Sequence, residues 1–183
     1  MRFEKKDFPL IRVREHLETG PIVLVTSHHE GHSNIMTMGW HTMMQFSPAL
    51  LGCYIWDGNR SHSAIRESRE CVINVPTVDL ADQVVAIGNS HAEQGGKFAA
   101  TRLTPGKARR VKAPLIDECY ASFECRLFDD RIVDEYGFFI WEIVRAHVAQ
   151  IDAPRTLHYR GQGSFMVAGT EIDFRKQFRP ENL

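Results

Sequence analysis

The sequence predicts a mainly β fold, an antiparallel barrel or sandwich with a few short peripheral helices. Three observations predict it. Short runs rich in β-branched and aromatic residues recur along the chain, turn residues separate them, and helical spacing appears only in brief segments. With 183 residues, 43% hydrophobic and 25% charged, the chain has enough apolar material for one core over residues 1–183. Internal repeats, low-complexity tracts and a dividing linker are absent.

Residues 1–20 alternate charge with Phe3, Phe8 and Leu10, and Arg12–Glu18 reads as a short lead-in strand or helical turn. Pro21–Ser27 is a strand by its β-branched content, and His28-His-Glu-Gly-His32 a turn, so 21–38 reads as a hairpin. A Met-, Thr- and Trp-rich strand over 34–46 ends at Pro48, and 49–56 forms the next. Asp57-Gly58-Asn59 punctuates the chain before a helix from Ser61 to Ser68 with Ile65 inward. Glu70–Val75 is a strand stopped by Pro76. Leu80, Val84 and Ile87 set a helix over 79–87, capped by Asp79 or Thr77.

Residues 88–114 lack a period and read as a long loop with one helical turn near Lys97-Phe98, and loops of this length are usually functional or disordered. Cys119–Leu127 alternates as a strand and Phe138–Ile151 is another, joined by 129–137. Leu157–Gly169 mixes Tyr, Phe and Val with three glycines, and Thr170–Leu183 is peripheral.

A net charge of −1 and a pI near 6.8 give no bulk attraction to nucleic acid or membrane. The basic spot Lys107-Ala-Arg-Arg-Val-Lys112 reads as a solvated loop. Cys53, Cys71, Cys119 and Cys125 form no C-x-x-C pair and sit in apolar settings, so buried free thiols in a reducing compartment are expected. Met1 leads straight into charged residues without an apolar signal or spanning segment, and a cytoplasmic protein is expected.

His28, His29 and His32 around Glu30 do not follow the helical H-E-x-x-H order and read as solvated turn histidines, so no metal is expected. Ser27 and Ser47 lack a G-x-S-x-G elbow, and neither GxGxxG nor GxxxxGK[ST] follows a strand, which argues against hydrolase chemistry and against Rossmann or P-loop sites. The best anion site is Arg60-Ser61-His62-Ser63, where hydroxyls, helix N–H groups and a guanidinium converge. Lys97-Phe98 offers a second cation and an aromatic, and Trp40 with Met36, Met38, Met43 and Met44 offers a soft apolar wall. The ligand this suggests has a flat apolar part and an anionic end.

The residues run in a recognisable order: the strand at 21–27, Gly31-x-x-Asn34-x-Met36-Thr37, Ser47-Pro48, Arg60-Ser61 with Ile65 behind, Val72-Ile-Asn74-Val75, Lys97-Phe98, Glu124-Cys125 and Phe139-Ile140-x-x-Ile143-Val144. That order resembles the flavin reductase-like family of FMN-binding split β-barrels over nearly the whole chain. Asn34–Trp40 and the tail Leu157-His-Tyr-Arg-Gly161 are similar to the subgroup containing flavoredoxin.

The resemblance implies a homodimer of Greek-key barrels holding FMN near the subunit interface. It implies an oxidoreductase fed by NAD(P)H or a redox protein, or else a flavoredoxin-type electron carrier without NAD(P)H turnover. A ligand-binding barrel with no redox role is the rival from another class. By position, Asn34, Met36, Thr37, Met38 and Trp40 would run along the isoalloxazine, Arg60, Ser61 and His62 would take the phosphate, and Lys97-Phe98 would close over the cofactor. Many family reductases carry Gly-Asp-His where this chain has Asp134-Glu135-Tyr136, which puts Tyr136 in the place of an imidazole that helps position the nicotinamide. Gly96 stands for the usual Asp before Lys-Phe, and Trp141 for the usual Gly after Phe-Ile.

Overall fold

A continuous buried apolar run before a tight turn and a second run, Ile35–Met38, after it make the first large element of the computed structural model, which describes residues 2–13, 20–90 and 96–182. After a short strand β1 (Lys5–Asp7), strands β2 (Val23–His29) and β3 (His32–Met38) pair as a hairpin in the expected place, with Gly31 at φ 79° in its turn. The segment 14–18 of the predicted lead-in lies outside the described residues.

The strand expected over 34–46 is two strands. The chain leaves β2 at Gly39-Trp40 and re-forms as β4 (His41–Gln45), which pairs with β5 (Leu50–Tyr54) and not with β3. Gly39 packs so closely on Ile22 that a Cβ there would sit 2.9 Å from its methyl, and the crossing needs this close approach. The Ser47–Pro48 peptide between β4 and β5 is cis.

Helix α1 (Arg60–Ser68) is capped by Asn59, whose Oδ1 accepts from Ser61 N at 3.3 Å, one residue earlier than the Ser61 start expected. Ile65 is fully buried, as its spacing required. Strand β6 (Glu70–Val75) follows, then a 3₁₀ turn at Val78–Leu80 that runs into α2 (Ala81–Asn89). The cap expected from Thr77 or Asp79 is not made. The Thr77 hydroxyl bonds the Asp79 carboxylate instead of a helix N–H. The segment read as an aperiodic loop contains helix α3 (Gly96–Thr101) and a small ribbon of β7 (Pro105–Gly106) with β8 (Leu115–Ile116). Strand β9 (Ala121–Asp129), helix α4 (Val133–Tyr136) and the long strand β10 (Phe138–Ala149) complete the main sheet. The glycine-rich tail forms a hairpin of β11 (Leu157–Gly161) and β12 (Ser164–Val167), and residues 170–181 are exposed throughout.

The strands run β3-β2-β6-β9-β10-β5-β4, with β1 added to β10. Val25, Met36, Leu51, Ile73, Phe123 and Trp141 come from six of these strands and meet in one core, so the sheet is curled into a barrel. Its two terminal strands, β3 and β4, are consecutive in sequence yet unpaired, and the barrel is split there. Strand β10 serves both sides of the closure. A bulge between Ile143 and Arg145 switches its inward residues from Phe139, Trp141 and Ile143 to Ala146 and Val148. All four cysteines are free and buried. No helix among the described residues is long and apolar enough to cross a membrane.

A second layer covers the outer face of β2, β3, β6 and β9. Helix α2 packs Val84 and Ile87 on Ile22, Leu24 and Ile35. Beyond it, residues 104–116 lie over two polar side chains that are themselves fully buried, Asn74 and Glu124. Glu124 accepts the N–H groups of Arg109 (3.1 Å), Arg110 (2.5 Å) and Val111 (3.1 Å) and lies 2.7 Å from His147 Nε2. The basic spot at 107–112 is a loop whose Lys107, Arg109, Arg110 and Lys112 side chains are exposed, as expected, while its backbone is pinned to the sheet.

Burial pushes the Glu124 carboxyl up, but the bonds from His147 and from the Arg109 and Arg110 N–H groups outweigh it, and the net shift is downward. A depressed folded-state value adds stability that is whole above the ordinary 4.5 and is lost as pH falls through the folded value. Amide exchange at Arg109–Val111 should therefore accelerate in that acid window. Glu124→Ala should lower the unfolding free energy by about 3–5 kcal/mol in urea titrations, since it strips a buried network of its acceptor. A loss under ~1 kcal/mol would show the strap is held by other contacts.

Candidate functional site

Strand β3 ends the sheet, so its outer edge faces α2, α3 and the turn before α1 rather than another strand. A cavity of about 240 Å³ lies along this edge. Met36 and Thr37 both line it although neighbouring residues point to opposite faces, which places the cavity across the edge itself. Met36 also packs in the barrel core, whereas the Thr37 hydroxyl donates to Val84 O of α2 at 2.8 Å.

The far wall is polar and cationic. Arg60, the first residue of α1, lines the cavity beside Asn59. Lys97 enters from α3 and is only 8% exposed, with Nζ donating to Ile87 O at 3.1 Å near the end of α2. Burial lowers its pKa. Two cations and no carboxylate are among the described residues that line it, a set that favours an anion.

Between the cations and the strand sits Asn34. Its Nδ2 donates to the buried Ser61 hydroxyl at 3.1 Å, while its Oδ1 is buried and receives no donor from the described residues. A buried acceptor without a donor costs free energy, and a ligand hydroxyl or N–H would remove that cost. Trp56, 63% exposed, forms the mouth. Its ring lies over Gly58, where a Cβ would fall 2.5 Å from the indole, so only glycine permits this placement.

The model of the flavin reductase-like domain family matches residues 16–166. The chain belongs to this family. An uncharacterized protein of Archaeoglobus fulgidus is 36% identical over 120 residues, 66% of this chain and 67% of that protein. An FMN-binding domain of a flavin reductases-like enzyme from Shewanella baltica superposes with a TM-score of 0.87 at 23% identity, covering 94% of this chain and 98% of that one. Flavoredoxin of Desulfovibrio vulgaris superposes with a TM-score of 0.76 at 20% identity over 84% and 89% of the two chains. The family and the split-barrel fold thus stand together.

Of the residues that family membership draws attention to, Asn34, Met36, Thr37, Arg60 and Lys97 meet on the one cavity. Ser61 lies behind it as the partner of Asn34. Met38 is in the barrel core, and Phe98 packs with the α2 cluster. Trp40 is 73% exposed with Tyr54 at 5.4 Å, past the end of β3. His62 turns its ring edge-on to Phe139 at 5.3 Å, and burial followed by the Arg66 charge lowers its pKa. Tyr136 ends α4, 59% exposed and outside the cavity lining. At the hairpin turn His29 pairs with Glu67 at 2.9 Å, and no group of metal-ligating side chains occurs among the described residues.

Trp56, Gly58, Asn59, Ile87, Gly88 and Ser90 complete the cavity and were not among the site residues expected from the sequence. The Asp57-Gly58-Asn59 turn was visible, and Asn59 two residues before Ser61 was a legible cap. Gly88 and Ser90 carried no signal of their own, because the end of α2 reads like any helix end.

Anion binding requires the charged form of Lys97. Affinity for inorganic phosphate should therefore fall as pH rises through a value below the ordinary 10.5. Lys97→Met should weaken phosphate about tenfold and flatten that alkaline limb, as read by calorimetric titration; tenfold is about 1.4 kcal/mol.

Proposed function

We propose that this chain binds FMN along the free edge of β3 and passes reducing equivalents between NAD(P)H, or a protein donor, and the flavin. The observation that carries this reading is Asn34 Oδ1, a buried acceptor on the open strand that receives no donor from the described residues and shares its cavity with the cations Arg60 and Lys97. A ligand suited to that order has a planar hydrogen-bonding ring, a hydroxylated linker and a phosphate, which is the order of parts in FMN. The similarity to the FMN-binding domain from Shewanella baltica supports the same choice.

FMN, when bound, supplies the ring that accepts hydride or electrons. The chain supplies position and field. Arg60, the N–H groups at the start of α1 and Lys97 would hold the phosphate. Asn34, oriented by Ser61, would accept from a linker hydroxyl. The unpaired edge of β3 near Thr37 offers backbone groups to the ring, and Met36 an apolar contact. A reducing, cytoplasmic setting accords with four buried free thiols. A homodimer is supported by the exposed Trp40, Met44 and Phe46 around β4, a concentration of apolar surface rare on a monomer.

A flavoredoxin-type carrier without NAD(P)H turnover is the second reading, and Tyr136 motivates it. It stands in place of the imidazole of many family reductases and lies outside the cavity lining.

FMN should bind the purified protein more tightly than riboflavin, because the cationic wall requires the phosphate. Arg60→Ala with Ser61→Ala should weaken FMN at least tenfold, roughly 1.4 kcal/mol, measured by flavin fluorescence. A protein that stays colourless with excess FMN sinks the proposal. Anaerobic mixing with NADH or NADPH then separates reductase from carrier, since only the reductase bleaches the flavin within turnover time.

A further inference from the structure

The strap at 107–112 has a construction that flavin binding does not use. The side-chain acceptors beneath it are spent on backbone rather than on its cations. Glu124 takes the three N–H groups of Arg109–Val111, Glu70 takes Lys112 N at 2.6 Å, and Asn74 takes Ile116 N at 2.9 Å. From below, the Thr26 hydroxyl donates to Pro114 O at 2.5 Å, and Arg126 Nη2 donates to Arg110 O at 2.9 Å. Ala108 and Val111 turn inward onto Val72, Ala113 and Leu115. Lys107, Arg109, Arg110 and Lys112 are left exposed on a fixed backbone, with the exposed Arg126 beside them. Among the described residues none of these five side chains is ion-paired with a carboxylate. Asp7, already bridged to Arg145, senses the Arg109 charge.

We propose that this strap, with Arg126, is the docking surface for a small acidic electron-carrier protein that exchanges electrons with the flavin; the electron-transfer part rests on the FMN reading above. Five fixed cations on a chain of net charge −1 form a local positive face that a complementary acidic surface fits and that steers its approach. Nucleic acid fits worse. The strap has no aromatic residue for stacking, and five cations fall below the six to ten phosphate contacts of a strong duplex binder. A membrane fits worse too, because the apolar residues of the strap face the core and nothing apolar is presented for insertion.

The strap is also tied to the site. Its Lys112 is held by Glu70, which directly follows Arg69 at the end of α1, and the first residue of that helix, Arg60, lines the cavity. Nine helical residues span about 13 Å, so a carrier seated on the strap lies about one short helix from the cavity. Each docking would pass one electron from a reduced cluster. Two such events, with two protons from solvent, balance the two-electron reduction of FMN.

The test uses a plant-type [2Fe–2S] ferredoxin as the acidic probe, titrated calorimetrically against the flavin-free and the FMN-loaded protein. Binding to both forms is expected at low salt, weakening steeply as salt rises. Arg109→Glu with Arg110→Glu should weaken it at least tenfold, while FMN affinity and reduction by dithionite stay unchanged. Lys107→Glu with Lys112→Glu provides the same test should the first pair not fold. Absence of ferredoxin binding at low salt, or equal binding by folded charge-reversed protein, overturns the proposal. Equally tight, salt-sensitive binding of a DNA duplex would overturn it in favour of nucleic acid. If ferredoxin binds as expected but FMN does not, the docking surface stands and the flavin reading fails.

Discussion

Strand β3 has one hydrogen-bonded neighbour where a closed barrel would give it two. Everything else at the candidate site follows from that missing partner. Because β4 pairs with β5 and not with β3, the barrel keeps an open seam between two strands joined by only Gly39 and Trp40. An unpaired edge is a row of unsatisfied donors and acceptors, which proteins normally cover or blunt. Here α2, α3 and the turn before α1 come close without filling it, and the space they leave carries two cations.

The seam can stay open because the remainder of the barrel is tightly tied. Fully buried apolar side chains fill the interior, including Phe139 and Trp141 stacked with their planes 7° apart. Outside the sheet, Asn74 bonds Leu24 O, Ser122 and Ile116 N at once, joining β2, β6, β9 and β8 through one amide. Glu124 does the same for the strap. Buried polar groups of this kind are favourable only when fully satisfied, so each fixes the segment that satisfies it. Asn34 is the contrast. It belongs to the same sheet, has one polar atom that receives no donor from the described residues, and lies in the cavity.

Much of the fold was legible from local rules. The 21–38 hairpin, α1 with Ile65 inward, β6 ending at Pro76 and the β9–β10 pair all follow from period, punctuation and β-branched content. The failures have physical reasons. The run 34–46 is continuous in propensity, and its break falls at Gly39, which packs closely on Ile22 seventeen residues earlier, a long-range contact that propensity does not reveal. Residues 104–116 carry no period because their order comes from carboxylate and amide side chains on β6 and β9, not from their own sequence. Glu124 alternates with the apolar residues of the strand expected over Cys119–Leu127, which does not reveal whether its side is covered. It is buried because the strap covers it.

By itself the residue pattern determined an antiparallel barrel or sandwich and pointed to Arg60-Ser61 as a helix start suited to an anion, because strand period and capping chemistry are local properties. The choice of a split barrel came from the family resemblance. The stretch 31–63 already contained four of the five predicted residues that meet on the cavity. Only the tertiary structure decided that Lys97 reaches that same cavity from 37 positions beyond Arg60, that Met38 and His62 turn elsewhere, and that Trp56 and Gly88 close the walls. The reason is geometric. A site laid across an open strand edge takes residues from both faces of β3 and from three helices, and no single period in the chain encodes that convergence.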